Sequence, residues 1–149
     1  MRPIEILIEL DLLSWSTIYL GMKKGWVNRK DIIDYAITLL ISGSENEDIA
    51  VIAGGEFLED TEMLSLVSNQ LEQSEISVDH DKWKLAHLLS MTKSSKDEQI
   101  RLERLQEIYA NLDYPEDMAA CSIYSQNEAD PLAVMAQVIE KLQSNLMKD

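Results

Sequence analysis

The chain has little cysteine, proline, glycine, aromatic residue or positive charge. Among its 149 residues are one Cys, three Pro, five Gly and a single Phe. A lone Cys121 excludes an intramolecular disulfide and suits a reducing compartment. The sparse Gly and Pro form no linker, and no internal repeat or low-complexity tract is present. Lys and Arg total 13 against 27 Asp and Glu, a net charge of −14. That deficit excludes a nucleic-acid backbone as the natural partner, because phosphate binding needs clustered cations. It disfavours an anionic membrane surface for the same reason. No run approaches the ~18 apolar residues of a membrane span. The Met1–Leu12 segment is broken by Glu5, Glu9 and Asp11, too often for a secretory signal. A cytoplasmic protein with no membrane association is expected.

What is present is apolar and helical. Hydrophobic residues make up 46%, too many for a disordered acidic tail. A chain of this length fits one domain, 1–149, and buries about two thirds of its unfolded surface without a disulfide or metal staple. Ser14 fits a helix N-cap, with Trp15, Ile18, Tyr19 and Met22 on one face and Gly25 as the stop. Asn28 caps the next, with Asp31 in the first turn, Ile33, Ala36, Ile37 and Leu40 as its apolar face, and Gly43 at its end. A short helix over Glu47–Ala53 closes at Gly54-Gly55, and another over Thr61–Glu72 buries Leu64, Val67 and Leu71. Trp83, Ala86 and Leu89–Ser90 suggest one face of a helix starting near Asp79. Ser95 and Glu98 have capping-box spacing before the Leu105, Ile108, Tyr109, Leu112 face. Asp130-Pro131 opens a last helix bearing Leu132, Met135, Ile139, Leu142 and Leu146, which is expected to dock on the body. Only Ile4–Leu10 and Glu75–Val78 alternate as strands would. The expectation is an all-α single compact domain of about six to eight short helices.

The placement of charge is the most informative feature. Between Asp31 and Asp81 there is no Lys or Arg, while thirteen acidic residues occur. A second basic-free stretch runs from Leu105 to Glu140. A solubilising surface explains such acids without any partner. Some also serve their helices, since Asp31, Glu47, Asp48 and Glu62 fall in first turns and complement the helix dipole. The functional alternative is an electrostatic landing site for a basic protein. Its candidate partner-binding residues are Glu45, Asp48, Glu56, Glu59, Asp60 and Glu62. Trp26, in the turn after Gly25, is the candidate aromatic anchor if partly exposed, with packing over the turn as the structural alternative. The other tryptophans, Trp15 and Trp83, sit on apolar faces and read as core.

Catalytic signatures are weak. Asp79-His80-Asp81 and His87 offer metal-ligand atoms, but two helical turns (about 10 Å) separate the histidines and no third ligand has recognisable spacing. Glu45-Asn46-Glu47-Asp48 lacks the twelve-residue calcium loop. Cys121 has no histidine nearby in sequence and reads as a small buried thiol. Gly54-Gly55 lacks the Lys-Ser/Thr of a phosphate loop. No metal, cofactor or catalytic residue is expected.

Two blocks carry a family resemblance. Leu13-Ser14-Trp15-Ser16-Thr17-Ile18-Tyr19-Leu20-Gly21, continuing through Gly25 to Asp31-Ile32-Ile33-Asp34-Tyr35-Ala36, resembles the N-terminal block of a small bacterial family. Glu107-Ile108-Tyr109-Ala110-Asn111-Leu112-Asp113-Tyr114-Pro115-Glu116-Asp117-Met118 resembles its C-terminal block. There the family's Tyr-Ala-Asp-Phe-Asp-Tyr-Pro stands as Tyr-Ala-Asn-Leu-Asp-Tyr-Pro, and the aromatic segment that follows is degenerate around Cys121–Gln126. The family is a domain of unknown function associated with immunity proteins of polymorphic toxin systems. The resemblance implies a protein partner and brings no catalytic residues to carry over. Read as structure alone, Asp113 fits a cap, with Glu116 and Asp117 in the turn after Pro115.

The expected function is that of a non-enzymatic immunity-type protein, which neutralises a cognate toxin through an acidic surface. A basic toxin domain such as a nuclease fits best, its phosphate-binding face being covered. The alternatives are an acidic adaptor or regulatory module and a metal-assisted hydrolase built from Asp79–His87 and distant carboxylates. The oligomeric state stays open.

Overall fold

The computed structural model describes residues 2–71, 76–94, 96–121 and 130–147. Eight α-helices and two 3-10 segments occur among the described residues, with no strand. Their order is α1 Pro3–Glu9, α2 Trp15–Lys24, α3 Arg29–Ile41, α4 Glu47–Ala53, a 3-10 turn Gly55–Phe57 and α5 Asp60–Ser68. The order continues with α6 Ile76–Ser94, α7 Glu98–Asn111, a 3-10 segment Glu116–Cys121 and α8 Pro131–Leu146. The contacts group into two compact units, Asp11–His80 and Met1–Leu10 with Asp81–Asp149.

In the Asp11–His80 unit the local signals act much as their chemistry requires. The Ser14 hydroxyl accepts from the Thr17 N–H and opens α2. Gly25, at φ 77, closes it in the left-handed conformation that costs other residues more. Asn28 and Asp31 form a reciprocal capping box at the start of α3, at 2.9 and 3.0 Å. Asn46 caps α4 through the Asp48 N–H. The core of this unit is Ile18, Ile32, Ala36, Ile49, Ile52, Met63 and Val67.

Two helical faces differ from expectation. In α3, Ile32 is buried where Ile33 was expected to be; Ile33 is half-buried and Ile37 exposed. Helix α5 ends at Ser68 and buries Met63 and Val67, leaving Leu64 and Leu71 exposed. Several overlapping i, i+3, i+4 sets fit these apolar-rich segments, and contact with neighbouring helices selects among them. Trp15 is also not core. It lies half-buried at the cluster's edge, its ring edge-on to Tyr35 at 4.8 Å between centroids.

The other unit contains α1, most of α6, α7 and α8. Helix α6 is buried all round over Trp83–Ala86, with Leu88 and Met91 adding further turns, so no single apolar face describes it. Ile4–Leu10 does not form a strand. Pro3 occupies the first turn of α1, and Ile4, Ile6 and Leu7 are all buried. Residues 76–78 likewise belong to α6. Glu72, Glu75, Ser95 and residues 122–129 lie outside the described residues. The cap of α7 is Asp97, accepting from Gln99 and Ile100 N–H. Asp113 and Tyr114 take left-handed φ of 63 and 55, so Asp113 follows the end of α7 and does not open the next segment in the extended cap conformation. Asp130 caps α8 with Pro131 behind it, and Met135, Val138 and Leu142 are its buried face.

Among the described residues no helix is long and apolar enough to cross a membrane.

Candidate functional site

The acidic candidates all belong to the Asp11–His80 unit, which holds thirteen acidic and four basic residues. The 3-10 turn Gly55–Phe57 and the start of α5 concentrate them. Glu56, Glu59, Asp60 and Glu62 are exposed within seven residues of chain, and Glu45 is exposed before α4. Asp60 and Glu62 lie in the first turn of α5, where their charge complements the helix dipole. No ion pair joins Glu45, Glu56, Glu59 or Glu62 to another described residue.

Two candidates have local tasks. Asp48 is half-buried and accepts from Gln70 Nε2 at 3.1 Å, the same Gln70 that accepts from Asn46. Asp60 pairs with Arg29, Nη2 to Oδ1 at 2.6 Å. Trp26 is half-buried in the turn after α2.

Sequence reasoning passed over two residues that organise this surface. Arg29, in the first turn of α3, directs Nη1 into the carbonyls of Gly55 (3.1 Å), Glu56 (3.3 Å) and Leu58. The guanidinium thereby supplies donors to a turn whose carbonyls have few partners within the chain's helices. Gly55 is buried there, and a Cβ would come 2.7 Å from Leu58 Cδ1 and 3.0 Å from Met63 Cε. The other missed residue is Phe57, almost fully exposed between Glu56 and Glu59. Its sequence signal was available: the only phenylalanine, placed in a short connection directly after a double-glycine stop.

Asp79 is buried and accepts from Thr17 Oγ1 at 2.9 Å and Ser16 Oγ at 3.2 Å, tying α6 to the first turn of α2. His80 is exposed, and His87 sits against Trp83 at 6.1 Å between centroids. Burial pushes the His87 pKa down to about 4, so its imidazole is neutral at pH 7. Among the described residues no group of three or more His, Cys, Asp or Glu converges to hold a metal ion. Burial, with a smaller contribution from the Asp117 charge, pushes the Cys121 thiol up to about 11. That leaves a protonated, poorly nucleophilic sulfur.

A second polar cluster lies in the other unit. The buried Lys84 ammonium bonds both oxygens of Asp117 at 2.9 Å and approaches Asp81 at 3.5 Å. Asp81 and Asp117 line a hollow with Val134, Val138 and Lys141. Here the acids are matched by cations.

Fold and surface together define a class: an all-α protein with an acidic, partly apolar face. The chain belongs to the family of uncharacterized proteins conserved in bacteria, DUF2247, whose model matches residues 4–149. Neither a curated protein nor a solved structure matches it.

Proposed function

We propose that this chain is a non-enzymatic immunity-type protein of the bacterial cytoplasm that binds and neutralises a basic toxin domain. The acidic face would occupy the toxin's phosphate-binding surface and exclude its substrate without chemistry. The observation that carries this reading is the run of exposed acids over Glu56–Glu62, in a unit where the cations Arg29 and Lys23 have local partners. Arg29 is held in the Gly55–Leu58 turn, and Lys23 sits 4.4 Å from the Tyr19 ring centroid. Negative potential from such a surface accelerates encounter with a cationic protein. The raised Cys121 pKa and the desolvated His87 support a role without nucleophilic catalysis. The link to toxin immunity rests on the family resemblance.

The test is direct binding to the basic C-terminal domain of a secreted protein encoded beside the gene, with toxin activity as readout. Stoichiometric suppression of toxicity supports the assignment; tight binding that leaves the toxin active makes the chain an adaptor.

A further inference from the structure

Phe57 is 93% exposed, a placement that net charge does not account for. A phenylalanine left in water forgoes the free energy that burying its ring would release. Its backbone, by contrast, is fixed. The residue closes the 3-10 turn whose carbonyls on either side, Glu56 and Leu58, accept from Arg29. The ring therefore stands on a braced stem. Beside it, Leu58 joins Val51 and Leu66 in a shallow depression between α4 and α5, edged by Thr61, Glu62 and Ser65. Val51 is itself 48% exposed. The depression thus has an apolar centre with Glu62 at its edge, and Glu56 and Glu59 stand exposed on either side of Phe57 and Leu58 in the chain.

We infer that this surface is a docking site for a basic protein partner. That partner seats an apolar side chain, flanked by Lys or Arg, in the α4–α5 depression with Phe57 packed against it. Charge complementarity selects the occupant. A second copy of this chain would bring the same acids against themselves, since a two-fold contact repeats one patch on both sides. An apolar anchor within a charged rim is the arrangement that concentrates binding energy at protein interfaces. The Arg29 brace lowers the ordering cost that a loose loop would incur on binding. The inference rests on the acidic landing surface proposed above and adds a division of labour. The acids set the association rate, and Phe57 sets the dissociation rate.

The experiment pans a random-peptide display library against the purified full chain. The enriched peptides are then measured, by kinetics and calorimetry, against wild type, Phe57→Ala, Val51→Ser and a Glu45→Gln/Glu56→Gln/Glu59→Gln triple variant. Phe57→Ala should melt with wild type, because the side chain is exposed. Enriched sequences should carry an aliphatic or aromatic residue beside Lys or Arg. Phe57→Ala should weaken them at least about thirtyfold through faster dissociation, and Val51→Ser by a smaller factor. The triple variant should slow association and reduce its salt dependence. Enrichment without that pairing, or equal binding by Phe57→Ala and wild type, overturns the anchor. If only the triple variant weakens binding, the acidic landing surface stands and the anchor falls; if neither does, both fall. A concentration-dependent dimer dissolved by Phe57→Ala assigns the surface to a second copy and overturns the inference.

Discussion

The two units treat charge in opposite ways. Asp11–His80 carries thirteen acids and four cations, and displays four of its acids, Glu56, Glu59, Asp60 and Glu62, on a short stretch around a 3-10 turn. The other unit carries fourteen acids and nine cations, and brings a lysine inside to meet two carboxylates. Similar numbers of acids thus serve different ends. Where a cation sits within reach, a carboxylate helps fix the packing of helices. Where none does, it contributes to an external field. In the first unit the buried Asp79 accepts from hydroxyls of Ser16 and Thr17, and the buried Asp31 accepts from the Asn28 N–H. Acid count alone does not distinguish display from architecture; burial and partners do.

Replacement of the aromatics should separate core from rim most strongly. Trp83→Ala removes a side chain with no exposure and should cost about 3–5 kcal/mol in chemical denaturation. Trp15→Ala, at the edge of the other cluster, should cost no more than about half of that. Equal losses would show that the Trp15–Tyr35 contact is as deeply packed as the Trp83 site.

Acidification should come next. Folded His87 resists protonation until about pH 4, whereas the unfolded side chain takes up a proton near its ordinary value of 6.5. Stability contributed by the neutral imidazole is therefore complete above about pH 6.5. It is lost as pH falls toward 4, by up to roughly 3 kcal/mol over that window. Substituting Gln for His87 should flatten the slope in denaturation measured across it. An unchanged slope would assign the acid sensitivity to carboxylates.

The buried charges sharpen the contrast further. Asp79→Ala removes the buried acceptor of two hydroxyl hydrogen bonds and should cost about 2 kcal/mol. Lys84→Met should change stability by under about 1 kcal/mol, because Asp117 and Asp81 are 42% and 39% exposed and retain water. A larger loss for Lys84→Met would mean that the charge cluster, more than its alkyl packing, organises its unit.

Much of the fold was legible in the sequence because its signals are local. Ser14, Asn28 and Asp130 cap helices through backbone groups within three residues, and Gly25 stops one by its own φ. The all-α class followed from such signals. What the sequence concealed depends on distant neighbours. Whether Ile32 or Ile33 faces inward depends on where α4 packs, and α6 is buried all round over Trp83–Ala86, so periodicity is silent about that stretch. Asp79 looked like a helix-start acid or metal ligand because its hydroxyl partners lie 62 and 63 residues earlier. The candidate site was half legible. Glu45, Glu56, Glu59, Asp60 and Glu62 are exposed as a loop-and-cap reading suggests. The Arg29 brace and the projecting Phe57 needed the turn's three-dimensional course.

The smallest effect on stability should accompany the largest effect on recognition. Neutralising Glu45, Glu56 and Glu59 to Gln should shift unfolding by no more than about 0.5 kcal/mol, since all three side chains are exposed.

The association rate of that triple variant with the cognate basic toxin domain, followed against ionic strength, tests the central claim most directly. The account predicts association roughly tenfold slower than wild type at low salt, with a shallower salt dependence and the two proteins converging at high salt. Equal rates for variant and wild type at low salt would contradict it, and would leave the acids of this unit as a solubilising surface.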